Sequence, residues 1–216
     1  MIGVFGHMGS MGKRYRAILN HLKIPLIGYD PNGRYDSAFH TFDQVATECD
    51  RFIIATPTES HYEIVMRLMK YPWSDKKPIL IEKPISKNVN EAEEILKLPC
   101  PITMQYQYSC LPMDLASNGL SYYDYYNTGK DGLPWDCLQI IGLARSSVML
   151  RNESPVWLCR INGESMYHAR MDTAYIRFVE KWLENPNFQD RSMVLGVHEK
   201  VKNFEMNPKL WLESLE

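Results

Sequence analysis

A glycine-rich turn near the amino end constrains the fold of this chain more than any other segment. Residues 1–5 are apolar, a pattern typical of a short buried β-strand. Residues 13–22 carry apolar side chains at helical spacing, with Tyr15 among them, and predict an amphipathic helix. Between the two lies a turn with the spacing G-x-x-G-x-x-G, made of Gly6, His7, Met8, Gly9, Ser10, Met11 and Gly12. A strand, a tight turn and a helix in this order are typical of the first unit of a parallel α/β sheet.

The same turn has the chemistry of a dinucleotide site. Glycine permits a positive φ and lets the backbone approach a pyrophosphate, whose charge the N–H groups of the following helix attract. Asp30 ends the next apolar run, about 20 residues later, where an acidic side chain accepts hydrogen bonds from the adenosine ribose. That carboxylate would repel a 2′-phosphate and favour NAD, whereas Arg34 nearby offers the opposite preference, for NADP. The alternative is a plain turn between strand and helix, which also uses glycine.

Short apolar runs alternate with helical segments in the first half of the chain, which predicts an α/β fold with a Rossmann-type doubly wound parallel sheet. Further strands are predicted at residues 25–29, 51–55, 78–81 and 102–106, and helices at 59–70 and 91–98. Asn90 is predicted to cap the second helix, and Asp43 to cap a single helical turn. Ligands bind outside the carboxyl ends of parallel strands. Residues 6–12, 56–58 and 82–84 all follow strands, so we expect them to line one cleft.

Three segments in this register resemble the Gfo/Idh/MocA family, the glucose–fructose oxidoreductase, inositol dehydrogenase and rhizopine-catabolism oxidoreductases. They are the glycine turn, Ile54-Ala55-Thr56-Pro57 followed by His61, and Glu82-Lys83-Pro84 followed by Glu91-Ala92. The resemblance covers residues 1–108. It implies a Rossmann domain that binds a nicotinamide cofactor, with Thr56 and Pro57 beneath it and Lys83 in contact with both cofactor and substrate hydroxyl. Glu82 and His61 are assigned to the same cofactor site, although a histidine in a first helical turn often serves only as a cap.

Elementary electrostatics supports a chemical role for Lys83. A lysine beside a buried strand end and next to proline is held in place and partly desolvated, which favours its neutral form. A neutral amine can exchange a proton with a substrate, and an ammonium can polarise a carbonyl. Glu82 acts in the opposite direction because its charge stabilises the ammonium. The alternative role for Lys83 is a surface ion pair, as for most lysines.

We expect a boundary near residue 108 between the Rossmann domain, residues 1–108, and a small α+β domain, residues 109–216. An open, mostly antiparallel sheet is predicted there from strands at 148–150, 156–161 and 164–167, with helices at 171–184 and 192–204. The open face of that sheet would suit a homodimer. Six tyrosines between residues 106 and 126 either stack on a sugar-like ring or simply fill the sheet.

Asp136 is the one candidate catalytic residue in the second half. In the family, a helix bearing Asp-x-x-x-His supplies a second catalytic pair. Asp136 matches the aspartate of this pattern, but the position of the histidine falls on Ile140, or on Gln139 if the register shifts by one. Asp136 also precedes an apolar segment, residues 137–144, that is predicted to be helical, so an N-cap is an equal alternative.

Composition excludes several other classes of protein. The net charge of −2 and the lack of a Lys/Arg block argue against a nucleic-acid partner. The five cysteines form no C-x-x-C pair and the six histidines have no ligand spacing, so we expect reduced thiols and no metal site. The first strand begins at Met1 and no apolar run is long enough to span a bilayer, which predicts a cytoplasmic protein without a membrane partner.

These patterns predict an NAD(P)-dependent oxidoreductase. It would transfer a hydride between nicotinamide and a carbinol or carbonyl carbon of a sugar-like or cyclitol molecule, with Lys83 and Asp136 handling the hydroxyl proton. The alternative is a non-catalytic dinucleotide-binding protein that retains the cleft but has lost turnover. The short second half and the missing histidine favour that alternative, and the fold suits both.

Overall fold

The computed structural model describes residues 1–31, 40–73, 75–105, 123–126, 149–151, 158–161, 164–166 and 168–206. The chain divides into two compact units. The first combines Met1–Gln105 with Val179–Leu195, and the second combines Tyr106–Phe178 with Gly196–Glu216. Residues Arg34, Asp136 and Ile140 and the predicted helix at 137–144 lie outside the described residues.

The first unit contains a five-stranded parallel sheet in the order β2-β1-β3-β4-β5. Its strands are β1 Ile2–Phe5, β2 Leu26–Tyr29, β3 Arg51–Ile54, β4 Ile79–Ile81 and β5 Ile102–Met104. Almost every residue of β1, β3, β4 and β5 is buried, as expected of strands covered on both faces. The chain runs from β1 outward to β2 and then returns to β3 on the other side of β1. This reversal between β1 and β3 is where a doubly wound sheet binds its ligand, and it confirms the predicted Rossmann-type sheet.

Four helices connect the strands of the sheet, and two of them begin at caps that differ from the predicted ones. They are α1 Ser10–His21, α2 Phe42–Glu48, α3 His61–Leu68, which follows a 3-10 turn at Thr58–Ser60, and α4 Val89–Leu96. Thr41, not Asp43, caps α2, because Thr41 and Gln44 satisfy each other's backbone N–H groups in a capping box. Asn88, not Asn90, caps α4 by accepting the N–H of Glu91. In α2 and α4 the cap therefore lies two residues before the predicted one, and the helix begins one residue before it.

A return segment, Val179–Leu195, packs with the first unit. Trp182 is fully buried there, and the Arg51 guanidinium donates to the carbonyl oxygens of Trp182 and Leu183 at 3.2 and 2.7 Å. The Gln189 carboxamide exchanges two hydrogen bonds with the backbone of Met104, at 2.9 and 2.8 Å. This amide satisfies backbone groups on the outer side of β5, so the edge of the parallel sheet is covered.

Arg191 fixes the end of the return segment. Its guanidinium donates to the carbonyl oxygens of Leu96, Leu98 and Cys100 at 2.7–2.8 Å. Leu96 ends α4, and Leu98 and Cys100 lie between α4 and β5. A carbonyl oxygen at the end of a helix has no partner within the helix, and Arg191 supplies one. The residues around 190 are therefore part of the first unit although they follow β5 by more than 80 positions.

In the second unit the structure describes a four-stranded sheet in the order β7-β6-β8-β9. Its strands are β6 Tyr123–Tyr126, β7 Met149–Arg151, β8 Leu158–Ile161 and β9 Glu164–Met166. The β6–β7 pair is parallel, while β6–β8 and β8–β9 are antiparallel. Two further helices, α5 His168–Glu184 and α6 Arg191–Met206, each contain residues of both units. Of the helices that the structure describes, none has the length and apolar character needed to cross a membrane.

Candidate active site

Three polar segments lie together at the carboxyl edge of the parallel sheet. Phe5, Ile54 and Ile81 are register partners at the ends of β1, β3 and β4. The ladder continues past them, since the Ala55 N–H donates to Phe5 and the Glu82 N–H donates to Ile54, both at 2.9 Å. The glycine turn, the Thr56–Pro57 segment and the Glu82–Pro84 segment therefore emerge side by side. This placement confirms that the three segments share one sheet edge.

A cleft of about 790 Å³ opens at this edge. Six of the predicted cofactor residues line it: Gly6, Met8, Gly9, Asp30, Thr56 and Pro57. Residues 82–84 are not among its lining residues, so the expectation of one shared cleft is confirmed for two of the three segments. Its volume is within the range of ligand sites, roughly 300–1,000 Å³. One wall is the glycine turn, another is the end of β2, and the third is the start of α3 with the turn before it. The cleft is therefore long enough along the sheet edge to connect the end of β2 with the end of β3.

The three glycines of the turn have different roles. Gly6 has a φ of +80°, and a Cβ there would lie 2.7 Å from the carbonyl oxygen of Ala55. A Cβ at Gly12 would lie 2.1 Å from the carbonyl oxygen of Gly6. At Gly9, by contrast, φ is −65° and the nearest atom to a Cβ would be 3.3 Å away. The fold itself requires Gly6 and Gly12, whereas the absence of a side chain at Gly9 keeps the cleft open.

The amino end of α1 has the features of an anion site. Gly9 is its N-cap, no side chain caps it, and its first turn carries no acidic residue. The first N–H groups of a helix are not used within the helix and attract phosphate. The Met8 N–H donates to the Asp30 carboxylate at 3.2 Å, which fixes that acid in the cleft wall beside the turn. A pyrophosphate at α1 and a ribose at Asp30 fit this arrangement, so the residues present suit a dinucleotide.

Two charged residues follow the end of β4, the buried Glu82 and the half-buried Lys83. Glu82 is 5% exposed, and its two oxygens accept from the Tyr15 hydroxyl at 2.6 Å and from the Lys83 N–H at 3.2 Å. Burial raises the pKa of Glu82, against the opposing effects of Lys83 and Tyr15. Burial lowers the pKa of Lys83 to about 8, against the attraction of Glu82, while Arg14 adds to the lowering. An amine with this pKa can both accept and donate a proton near neutral pH.

The His61 ring contacts the backbone of two of the three segments, the one at Thr56 and the one at Pro84. It is 1% exposed, and its ring nitrogens lie 2.9 Å from the Pro84 carbonyl oxygen and 2.8 Å from that of Thr56. Burial lowers the pKa of His61, while these carbonyl oxygens oppose the change. The imidazole does not line the cleft. It holds the end of β3 and the segment after Lys83 in a fixed relation.

The remaining predicted residues lie in other places. His7 is 3% exposed and packs against Gly28, where it lines a separate cavity of about 220 Å³. Ser10 and Met11 begin α1 at the edge of the turn. Within the described parts of the chain, no group of three or more His, Cys, Asp or Glu side chains is arranged to hold a metal ion.

Sequence patterns did not identify two parts of the site. Glu63, Ile64 and Arg67 of α3 line the cleft, but their spacing is that of any exposed helix face. Arg67 lies over the Phe42 ring, with its guanidinium carbon 3.8 Å from the ring centre. Tyr15 was predicted only as part of an apolar face. A buried hydroxyl on such a face needs a hydrogen-bond partner, so the tyrosine itself was the sequence signal for a buried polar contact.

Comparisons with known proteins agree with this geometry. The model of the oxidoreductase family with an NAD-binding Rossmann fold, Gfo/Idh/MocA, matches residues 31–99. A search of curated protein sequences found no significant match. Among solved structures, a Gfo/Idh/MocA family oxidoreductase from Vibrio cholerae is similar with a TM-score of 0.69 at 10% identity, covering 91% of this chain and 94% of that one.

Two further solved structures have related folds. The UDP-N-acetylglucosamine 3-dehydrogenase GnnA from Acidithiobacillus ferrooxidans gives a TM-score of 0.70 at 13% identity, covering 94% of this chain and 95% of that one. The WlbA (WbpB) dehydrogenase from Thermus thermophilus, in complex with NAD and UDP-GlcNAcA, gives 0.62 at 15% identity, covering 92% of each chain. At these identities the likeness establishes the fold. The first unit therefore has the Rossmann fold of these oxidoreductases, and its residues 31–99 match the model of the Gfo/Idh/MocA family.

Proposed function

We propose that this protein is an NAD(P)-dependent oxidoreductase that acts on a carbinol or carbonyl carbon of a sugar-like or cyclitol molecule. One observation carries the proposal: the glycine turn, Thr56-Pro57 and Glu82-Lys83 follow neighbouring strands whose carboxyl ends are in register. When bound, the nicotinamide cofactor supplies the redox chemistry by exchanging a hydride with the substrate carbon. The residues of the chain bind the dinucleotide, orient the substrate and transfer the hydroxyl proton.

The dinucleotide would extend along the cleft between β2 and β3. The N–H groups at the start of α1 receive the pyrophosphate, and Gly9 leaves room for it. The Asp30 carboxylate accepts hydrogen bonds from the adenosine ribose and favours NAD over NADP, because a 2′-phosphate there would meet a negative charge. Thr56 and Pro57, which line the cleft, would lie beneath the cofactor.

Lys83 would transfer the proton. During oxidation of a carbinol, its neutral Nζ accepts the hydroxyl proton while the carbon loses its hydride, so the substrate loses two electrons and two hydrogens. In the reverse direction the ammonium returns the proton to the forming alkoxide. A pKa near 8 keeps both forms of Lys83 populated near neutral pH, which general acid–base catalysis requires. Asp136 is the second candidate in this relay, with an N-cap role as its alternative.

The substrate class is inferred from structural neighbours. GnnA is named as a UDP-N-acetylglucosamine 3-dehydrogenase, and the WlbA structure is a complex with NAD and UDP-GlcNAcA. Both names support a polyhydroxylated substrate for the chain described here. We infer that residues 109–216 supply the substrate side and a homodimer contact through their sheet. The division of the chain after Gln105 supports a boundary near 108, while the return segment adds a second piece to the cofactor domain.

A non-catalytic dinucleotide-binding protein is the second candidate. Ile140 stands where the family pattern has histidine, so half of the second catalytic pair is missing. All the cofactor-binding features described above would remain in such a protein. The two candidates differ in turnover and not in cofactor binding.

The test has two stages. Purified full-length protein is titrated with NADH and NADPH by fluorescence, with Gly9→Val as the binding-deficient control. The protein is then incubated with NAD and, in turn, myo-inositol, glucose and UDP-N-acetylglucosamine, and NADH formation is followed by absorbance with Lys83→Ala as control. Saturable NADH binding with Lys83-dependent turnover supports the oxidoreductase. Binding without turnover on any of these supports the non-catalytic candidate, and failure to bind either cofactor overturns both.

A further inference from the structure

We propose that Tyr15 is a positioning residue for Lys83: its hydroxyl stabilises the charged form of the buried Glu82 carboxyl group, and that charge favours the ammonium form of the adjacent Lys83 side chain. The inference deepens the proposed function and rests on it only in giving Lys83 a chemical role. The link itself is electrostatic and can be measured without a substrate.

The contact is direct and fully enclosed. Tyr15 has no exposed surface, although it belongs to α1 and Glu82 follows β4, 67 residues later. Its hydroxyl donates to one oxygen of Glu82 at 2.6 Å, and the Lys83 backbone N–H donates to the other at 3.2 Å. A distance of 2.6 Å is typical of a hydroxyl that donates to a charged oxygen. Each carboxylate oxygen therefore has a donor, as an ionised buried acid requires.

The alternative for Tyr15 is a core residue whose hydroxyl happens to find an acceptor. Phenylalanine would fill nearly the same volume at this position. The hydroxyl therefore adds nothing to apolar packing, and its effect is on the acid it contacts. Donation to the charged form of a carboxyl lowers its pKa, which opposes the increase that burial causes at Glu82.

The effect then reaches Lys83 through charge. Burial and the Arg14 guanidinium of α1 favour the neutral amine, and the Glu82 charge is the group that opposes them. On the α3 side, His61 bonds the carbonyl oxygen of Pro84, the next residue after Lys83. If Glu82 became protonated, Lys83 would keep the desolvation and the repulsion from Arg14 but lose its counter-charge. Its pKa would fall, and less ammonium would be available to protonate a substrate.

The experiment measures the pKa of Lys83 directly. Full-length protein is acetylated with a trace of acetic anhydride at a series of pH values, and the Lys83 peptide is quantified by mass spectrometry. Tyr15→Phe should shift the midpoint downward by about one pH unit, the size of a typical effect of a neighbouring charge. Glu82→Gln should shift it at least as far. The double variant should match Glu82→Gln alone, because Tyr15 acts only through Glu82.

Tyr62→Phe is the matched control. Tyr62 also donates to a glutamate, Glu94, but on the exposed outer side of α3. This variant should leave the Lys83 midpoint unchanged. An unchanged midpoint in folded Tyr15→Phe, or an additive shift in the double variant, overturns the proposal. If Tyr15→Phe does not fold by circular dichroism, Glu82→Gln decides, since an unchanged Lys83 midpoint in that variant removes the link.

These outcomes are distinct from failure of the proposed function. A protein that turns over no substrate still yields a Lys83 midpoint, so the link between Tyr15 and Lys83 is tested in either case. If turnover occurs, the pH of half-maximal rate should move with the midpoint in Tyr15→Phe. If the Lys83 midpoint moves while the pH profile of the rate does not, the electrostatic link between Tyr15 and Lys83 is supported. The same result would show that Lys83 does not transfer the proton.

Discussion

Gly12 and Gly6 are in such close contact that a Cβ at position 12 would lie 2.1 Å from the Gly6 carbonyl oxygen. Real Cβ atoms do not approach backbone oxygen this closely, so any side chain at 12 would push α1 away from the turn. At Gly9 the corresponding distance is 3.3 Å and the backbone angles suit any L-residue. Two glycines of one motif thus serve different purposes, one for packing and one for the cleft.

The glycine turn gives the first prediction. Gly9→Val should lose NADH binding, because the side chain would enter the space where the pyrophosphate approaches α1. Its free energy of unfolding should fall by about 1 kcal/mol, the cost of a poor N-cap residue. Gly12→Ala should instead lose more than about 3 kcal/mol, since backbone has to move. Fluorescence titration and urea unfolding of both variants separate the two effects. Normal NADH binding by Gly9→Val would show that the cofactor does not use this turn.

Sequence patterns predicted the parts of the fold that follow from local periodicity. Buried apolar runs identified all five strands of the parallel sheet, and the strand ends gave the common edge of the three polar segments. Helix starts were less accurate. Asn88 and Asn90 are both good caps two residues apart, and only the folded backbone decides between them.

The relations that were not predicted are all long-range. The return segment binds β5 through side chains such as Gln189 and Arg191, whose targets are backbone atoms and leave no trace in residue type. The contact between Tyr15 and Glu82 joins residues 67 positions apart and depends on which turn of α1 faces β4. A single sequence carries no record of either pairing.

Asp30 gives the second prediction, on cofactor choice. The wild-type protein should bind NADH more tightly than NADPH. Asp30→Asn keeps an acceptor for the Met8 N–H but removes the charge, so NADPH binding should strengthen tenfold or more, given roughly 1–4 kcal/mol between close charges. Asp50→Asn is the control, because Asp50 pairs with the amino terminus at the opposite end of the sheet. Tighter binding of NADPH by the wild type would contradict the role assigned to Asp30.

Arg191 gives a prediction about stability. Arg191→Ala removes three charged hydrogen bonds to the carbonyl oxygens that follow α4, and the free energy of unfolding should fall by about 3 kcal/mol. Arg177→Ala, at an exposed position on α5, should change it by less than about 0.5 kcal/mol. Urea unfolding monitored by circular dichroism measures both. Equal stability of the two variants would mean that the return segment does not support the first unit.

Gln105 gives a prediction of increased stability. Its side chain is fully buried at the end of β5, and within the described residues neither its amide nitrogen nor its oxygen has a hydrogen-bond partner. Methionine has a similar shape and no such polar atoms. Gln105→Met should therefore raise the free energy of unfolding by about 1–3 kcal/mol, the cost of an unsatisfied buried polar group. A less stable variant would show that the amide has a partner in the folded protein.

Lys83 gives the prediction on chemistry. Lys83→Ala should lower turnover by roughly 10²–10⁴-fold, the usual contribution of general acid–base catalysis, while NADH binding changes little. In the wild type, oxidation of a carbinol needs the neutral amine, so its rate should rise as the pH passes through about 8. Reduction needs the ammonium, so its rate should fall over the same interval. Rates of both directions measured from pH 6 to 10 therefore give opposite slopes, and both slopes should vanish in Lys83→Ala.

Asp136→Asn separates the two catalytic candidates. The substitution keeps the shape and capping ability of the side chain and removes its charge, so a cap would survive and a proton relay would not. A large loss of rate at an unchanged melting temperature favours the relay, and loss of neither favours the cap. Lys83 is the stronger candidate because Ile140 leaves Asp136 without the histidine that accompanies it in the family pattern. If the protein turns over a polyol, and the Lys83→Ala variant keeps the same rate and pH dependence, then a group other than Lys83 transfers the proton. That result would leave the assignment of the dinucleotide cleft unchanged.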